Sequence, residues 1–270
     1  MRMAKSFVWK GWAAGVMLLL PLGSVAVAQE EAQSRPTYLV NIDTPDIVKQ
    51  GKFHLHVDHR PFGSLENISY TNVGLEFGLS GRTEAVARFG TAVRRSFANG
   101  TSTLLQGGKE LELGIRYLMN SSSRSRLAFQ GGVIVPDSRP QSKLGFGGEL
   151  IYSRKFGAAL EGFFTPKVLV GDAFVGTLGG GLEYHFGSSL SLFGDFQRAI
   201  IGNNGTNTST GTAIQKYVWG IGARYNPTVW RGKFSLDLGV TNGLGRSLGM
   251  STSASLAGSA AVFFGVSIRP

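Results

Sequence analysis

The chain has 270 residues, of which 42% are hydrophobic and 16% are charged, with no cysteine and a formal net charge of +10. The lack of cysteine excludes a disulfide framework, and the mild, scattered basic excess argues against a nucleic-acid-binding protein. Beyond the N-terminus no apolar run reaches the ~18 residues that a spanning helix requires, which excludes a helical membrane protein.

The first 28 residues have the pattern of a secretory signal peptide. A basic start with Arg2, Lys5 and Lys10 precedes a short apolar run, and the small-residue sequence AVA ends at Ala28. The apolar run is too short for a membrane anchor. We therefore expect export with cleavage near Ala28, which leaves 24 basic and 17 acidic residues in the mature chain.

Residues 29–50 are predicted to form a periplasmic N-terminal segment or a partial plug, and residues 51–270 a β-barrel. From Gly51 onward, segments of about ten residues alternate apolar side chains with polar or small ones, the period of a strand with two environments. Twelve such segments follow in chain order: GKFHLHVDHR, NVGLEFGLS, TEAVARFG, KELELGIRYL, RLAFQGGVIV, LGFGGELIY, FGAALEGFF, FVGTLGGGLEYHF, SLSLFGDFQ, IQKYVWGIGARY, KFSLDLGVT and AAVFFGVSI.

The connections between these segments alternate in length. Those after the even-numbered segments are short, whereas those after the first, third, ninth and eleventh are long and polar, including RRSFANGTSTLLQGG after the third. Short turns at one end, long loops at the other and an even strand count are typical of bacterial outer-membrane barrels. We predict an all-β antiparallel transmembrane barrel of about twelve strands, with short periplasmic turns and long extracellular loops. A secreted β-sandwich, the alternative, has no reason to sort its loops in this way.

The run FHLHVDHRPFG followed by NVGLEFGLSGRTEAVARFG resembles a poorly characterised family of bacterial outer-membrane β-barrel proteins of unknown function. LIYSRKFG, GSSLSLFGDF and FSLDLGVTNGLG are similar in layout, so the resemblance covers most of residues 40–268. It implies a single-chain, porin-like barrel and supplies no catalytic residue or substrate. Many such barrels end on an aromatic residue that the assembly machinery recognises, whereas this chain ends SIRP and its last phenylalanine is Phe264.

His54, His56 and Asp58 share one face of the first predicted strand. A metal site needs three or four convergent donors. Alternate residues on one strand stand about 7 Å apart, too far to chelate an ion without neighbours. We therefore interpret this face as a polar lumen wall and assign no metal and no other cofactor.

Strand parity turns a largely acidic set of charged side chains toward the lumen. We predict that these residues line the lumen and select solutes: Glu76, Arg88, Glu110, Glu112, Arg116, Glu149, Glu161, Glu183, Asp195, Lys216, Arg224 and Asp237. Most other basic residues fall in connections or at strand ends, where we expect an external rim that meets anionic lipid phosphates. This rim comprises Arg94, Arg95, Arg139, Lys143, Lys167, Arg198 and Arg246.

The favoured function is a porin-like channel that passes small polar solutes through an acidic lumen. Eight-stranded barrels are filled by side chains and sixteen-stranded ones hold a channel, so a non-conducting structural or surface-interaction barrel is the alternative. An outer-membrane lipid-modifying enzyme is a minor alternative, because His59 and the loop serines lack the spacing of a nucleophile, base and orienting group. We expect no enzymatic activity. The expected partners are outer-membrane lipids and lipopolysaccharide, the assembly machinery and small polar solutes, and no nucleic acid.

Overall fold

The structure is a computed structural model, and it describes residues 37–62, 68–98, 101–136, 144–171, 174–202, 217–230, 233–248, 250–252 and 260–270. Glu31–Pro270 forms one compact unit. The predicted signal peptide and its cleavage site lie outside the described residues. No helix in the described ranges is long and apolar enough to cross a membrane.

Twelve antiparallel strands form a closed barrel, which confirms the predicted fold class. Each strand pairs with its neighbours in sequence, and the first pairs with the last to close the sheet. The strands are β1 (Phe53–Phe62), β2 (Ile68–Gly78), β3 (Thr83–Ala98), β4 (Thr101–Ser121), β5 (Ser125–Pro136), β6 (Gly145–Lys155), β7 (Leu160–Val170), β8 (Phe174–Phe186), β9 (Leu190–Ile201), β10 (Tyr217–Tyr225), β11 (Phe234–Thr241) and β12 (Ala261–Ile268). Two short 3-10 helices, Thr228–Trp230 and Met250–Thr252, lie in connections.

Each strand presents alternate side chains to two environments, as a period of two requires. On β2, Val73, Leu75 and Phe77 are exposed on the outer surface, whereas Asn72 and Glu76 are buried inside the barrel. The other strands repeat this pattern, so large apolar side chains cover the outside and polar ones dominate the inside. An apolar exterior around a polar interior is the arrangement of a transmembrane barrel.

Aromatic side chains concentrate near one end of the barrel, where short turns connect β2 to β3, β4 to β5, β6 to β7 and β8 to β9. We call this the short-turn end, and the opposite one the long-loop end. Two aromatic pairs lie there, with 4.7 Å between the ring centroids of Tyr184 and Phe186 and 4.5 Å between those of Trp230 and Phe234. Aromatic girdles of this kind mark the membrane interfaces of such barrels.

One predicted loop is wrong. The sequence RRSFANGTSTLLQGG was predicted to be a long connection, but β3 and β4 pair through it, out to the partners Ala98 and Thr101. The Asn99-Gly100 dipeptide between them is the sequence signal for a tight hairpin. That signal was a better guide than the polar composition of the stretch.

The core of the molecule lies inside the barrel. Two segments enter it, which we name the plug (residues 37–46) and the inner loop (residues 242–248 and 250–252). Two buried apolar clusters surround them: Leu39, Val40, Ile42, Phe163, Phe193 and Phe263 around the plug, and Phe62, Tyr70, Ala92, Met250 and Ala261 beneath the inner loop.

Candidate functional site

The lumen wall carries the charged side chains that strand parity placed there. Ten of the twelve predicted lumen residues are at most 6% exposed: Glu76, Arg88, Glu112, Arg116, Glu149, Glu161, Glu183, Asp195, Arg224 and Asp237. Glu110 is partly buried on β4, and Lys216 lies outside the described residues. The role of this set in selecting solutes stays a prediction.

The plug is a tight hairpin held by side chains of the wall. It is closed on itself by hydrogen bonds from Leu39 N to Ile42 O (2.9 Å) and from Thr44 N to Thr37 O (2.8 Å). One carboxylate oxygen, Asp195 Oδ2, accepts hydrogen bonds from the backbone amides of Val40 (2.7 Å) and Asn41 (2.6 Å). The plug turn is therefore capped from the wall by an anion.

Two arginines of the wall donate hydrogen bonds to backbone carbonyl groups of the same hairpin. Arg60 Nη2 donates to Val40 O (2.9 Å), and Arg224 Nη2 donates to Tyr38 O (3.1 Å). Polar backbone groups that leave water must find new partners. The wall supplies these partners from side chains rather than from a neighbouring strand.

Glycines of the wall make room for the apolar tip of the plug. A Cβ atom at Gly220 would lie 2.6 Å from Val40 Cβ, and one at Gly181 would lie 3.1 Å from Ile42 Cδ1. The first distance is one that Cβ atoms essentially never show, and the second would force Ile42 to shift by a few tenths of an ångström. Gly181 on β8 and Gly220 on β10, which carry no side chain, therefore form the seat of the plug.

A cluster of ion pairs anchors the second half of the plug through Asp43. Asp43 Oδ1 lies 2.7 Å from Arg88 Nη2 and 3.2 Å from Arg116 Nη2. Arg88 also pairs with Glu76 (3.2 Å), and Arg116 with Glu84 (2.7 Å). Burial raises the pKa of the Asp43 carboxyl, but the two guanidinium groups outweigh burial and hold that pKa well below its usual range.

The inner loop fills the lumen toward the long-loop end. Arg60 Nη1 donates to Gly243 O (2.9 Å), Leu248 N donates to Glu112 Oε2 (2.8 Å), and Gln197 Nε2 donates to Ser251 O (2.6 Å). Side chains of the wall thus bond much of the loop backbone, as in the plug, whereas Asn242 N donates to the backbone carbonyl of Trp219 on β10 (3.2 Å).

Two residues of the predicted external rim lie inside the barrel instead. Lys167 is buried on β7, with its Nζ 3.3 Å from Glu149 Oε2. Arg246 is buried on the inner loop, with its Nε 2.8 Å from Asp58 Oδ2 and its guanidinium 3.5 Å from the ring centre of Tyr38. The pKa of Arg246 is raised above its usual value, because Asp58 and other anionic partners outweigh the effect of its burial.

Lys167 and Arg246 were wrongly predicted to be external for two different reasons, the extent of β7 and the inward course of the inner loop. The predicted seventh segment ended at Phe164, yet β7 continues through Pro166, which pairs in register with Leu178, and includes Lys167. Nothing in the local pattern around Arg246 shows that its loop turns inward. Of the remaining rim residues, Arg198 is exposed on the outer face of β9, and Arg94 and Arg95 lie on β3. Arg139 and Lys143 lie outside the described residues.

No family model and no curated protein matches the sequence. Among solved structures, the KdgM porin matches with a TM-score of 0.54 and 10% identity over 80% of this chain and 98% of that chain. The NanC porin matches with a TM-score of 0.49 and 11% identity over 81% of this chain and 100% of that chain. Outer membrane phospholipase A from Escherichia coli matches with a TM-score of 0.46 and 14% identity, over 82% of this chain and 97% of that chain.

Identities this low support the fold and nothing finer. The KdgM match confirms the resemblance to outer-membrane barrels, since its closed barrel is shared over nearly its whole length. The chain thus has the fold of a porin-like outer-membrane β-barrel.

Proposed function

We propose that this porin-like barrel, exported and cleaved near Ala28, resides in the outer membrane and passes small polar solutes through an acidic lumen. In the resting state the plug and the inner loop close that lumen. The observation that carries the proposal is the way the plug is held. Its backbone bonds to Asp195, Arg60 and Arg224 rather than to a strand.

A segment held in this way can leave without breaking the barrel. Besides the strand ladders, the isolated bridges among the described residues join Tyr38 to Asp43, inside the plug, and Gln50, beyond the plug, to Gly78 at the end of β2. Release of the plug therefore breaks no backbone pairing between strands, while the ladder of the wall stays complete. Beyond Asn242, which bonds to the backbone of Trp219, the inner loop is held by the same kind of side-chain contact.

The charge of the lumen favours cations in an open channel. Among the described residues, ten acidic and seven basic side chains are buried. Departure of the plug removes Asp43 and leaves nine acidic and seven basic side chains in the lumen. If the inner loop leaves as well, Arg246 is removed and the acidic side chains remain in excess. Carboxylates in a confined, low-dielectric pore raise the local concentration of cations.

Single-channel recording in planar bilayers tests this function. We expect the parent to be closed for most of the recording, and a variant lacking residues 37–46 to open more often, in the intervals when the inner loop also leaves the lumen. A variant lacking residues 29–36 is the matched control, because it shortens the same region but keeps the plug, and it should behave like the parent.

A further variant decides between the channel and the alternative. It lacks the plug and has residues 244–252 replaced by a short Gly-Ser linker, so neither segment occupies the lumen. If this barrel inserts correctly and still passes no current, the channel function is wrong and the non-conducting structural barrel is favoured.

A further inference from the structure

Three buried side chains of β1 and β2 converge in the lumen. His54 and His56 are 1% exposed and Glu76 is 0% exposed. Each offers one donor atom, and these atoms all lie within 4.8 Å of one another. The register explains the convergence, because His54 and Glu76 are direct partners across the two strands and His56 is next on the same face.

Two nitrogen atoms in this group have no hydrogen-bond partner. His54 Nδ1 lies 2.7 Å from Glu76 Oε2, but His54 Nε2 and His56 Nδ1 are buried and unpaired. Buried polar atoms without partners are rare and unfavourable, and each calls for an explanation. An ion that accepts a lone pair from His56 Nδ1 provides one for that atom, and His54 would bind the same ion through Nδ1, the nitrogen beside Glu76 Oε2.

We propose that His54, His56 and Glu76 bind a divalent transition-metal ion of the zinc class. Two imidazole nitrogens and one carboxylate oxygen are a donor set that such ions prefer, with further coordination positions left for water. Donors on β1 alone stand too far apart to hold a metal ion. The third donor comes from the neighbouring strand, and Asp58 instead pairs with Arg60 and Arg246.

The surrounding charges are compatible with a bound cation. Arg88 lies 3.2 Å from Glu76 Oε1, which leaves Oε2 facing His54, and Arg88 is itself paired with Asp43. Arg246 is likewise paired with Asp58. Partners of this kind on the second carboxylate oxygen orient a metal-binding carboxylate.

The plug covers the group. Thr37 Oγ1 donates to Glu76 Oε2 and lies 3.3 Å from His54 Nδ1. The ring of Tyr38 stacks on His54 at 5.9 Å and packs against His56 at 4.8 Å between centroids. An ion therefore reaches these donors during folding or when the plug is out. The site is independent of whether the barrel conducts.

Metal retention by refolded, tag-free protein tests the site. The chain is refolded in detergent with excess Zn²⁺, free ion is removed, and zinc per folded chain is counted. We expect about one ion in the parent, and at least about tenfold weaker binding in His56→Gln and in Glu76→Gln, since even the loss of an outer partner costs that much. His59→Gln is the matched control on the same strand, because His59 faces Thr71 (2.9 Å) and Phe264 instead.

X-ray absorption of the zinc-loaded parent provides a second measurement that needs no variant. Two imidazole ligands and one carboxylate in the first shell support the site, even if His56→Gln fails to fold. A parent that retains no zinc after refolding overturns the proposal. So does equal retention by the parent and by folded His56→Gln and Glu76→Gln, because the ion would then be bound elsewhere.

Discussion

Asp195 caps the turn of the plug with a single carboxylate. It accepts three backbone amides through Oδ2, those of Val40, Asn41 and Ile42, and the Asn41 side chain through Oδ1 (2.8 Å). Parity predicted its inward position, but the sequence offered no means of pairing it with Asn41, 154 positions earlier. Its role depends on long-range contact that no local pattern encodes.

Loss of this carboxylate should release the plug. Hydrogen bonds to charged acceptors contribute about 1.5–3 kcal/mol each, so we expect Asp195→Ala to expose the plug at least about tenfold more often. The measurement is the rate of maleimide labelling at Thr44→Cys, a buried plug position in a chain with no other cysteine. Thr177→Val, which removes a buried wall hydroxyl bonded to Gln197 (3.1 Å), should leave the rate unchanged. Equal rates in Asp195→Ala and the parent would contradict the capping role.

Asp43 should make the plug sensitive to acid. Its pKa in the seated plug lies below the ordinary value of about 3.9. The stabilisation is therefore fully present above that ordinary value and is lost as the pH falls below it, because the released plug takes up the proton more readily.

Recording at pH 6, 4 and 3 checks this dependence. We expect the open fraction of the parent to rise below about pH 4. The open fraction of Asp43→Asn should be higher than that of the parent at pH 6. Its further rise below about pH 4 should be smaller, because the titrating carboxyl is gone. An identical acid response in both proteins would assign the effect to other groups.

At the scale of elements, the period-two pattern located all twelve strands and their inner faces. It could not assign the plug's contacts, since the apolar residues Leu39, Val40 and Ile42 pack on glycines of distant strands. It also could not show that the inner loop turns inward. Strand alternation is local information, whereas the filling of a lumen depends on which segments enter it.

The glycine seat should be sensitive to one methyl group. The three atoms nearest to a Cβ at Gly220 all belong to Val40, so Gly220→Ala crowds the plug and spares the wall. Overpacking of this kind costs about 1–3 kcal/mol, and we expect labelling at Thr44→Cys to speed up about tenfold. At Gly148 a Cβ would meet nothing nearer than 3.6 Å, so Gly148→Ala is the control. A seat that tolerates Gly220→Ala without faster labelling would mean that the plug does not pack there.

For the whole molecule, net lumen charge should set ion preference. In the plug-free barrel nine acidic and seven basic buried side chains remain, and Glu112→Gln with Glu149→Gln leaves seven against seven. We expect cation preference in the plug-free parent and its loss in the double variant, measured as reversal potential in a KCl gradient. Anion preference in the plug-free parent would contradict the acidic lumen.

The position of Tyr38 has a consequence for biogenesis. Its ring contacts His54 and His56 on β1, and its hydroxyl bonds to Ser267 on β12, 229 positions away. The plug thus contacts both β1 and β12, the two strands whose pairing closes the barrel. Pairings between segments so distant in sequence are the slowest to form. A hairpin already docked beside β1 offers the last strand a prepared surface. The plug would then act as an internal template for barrel closure, and it would remain inside the folded barrel.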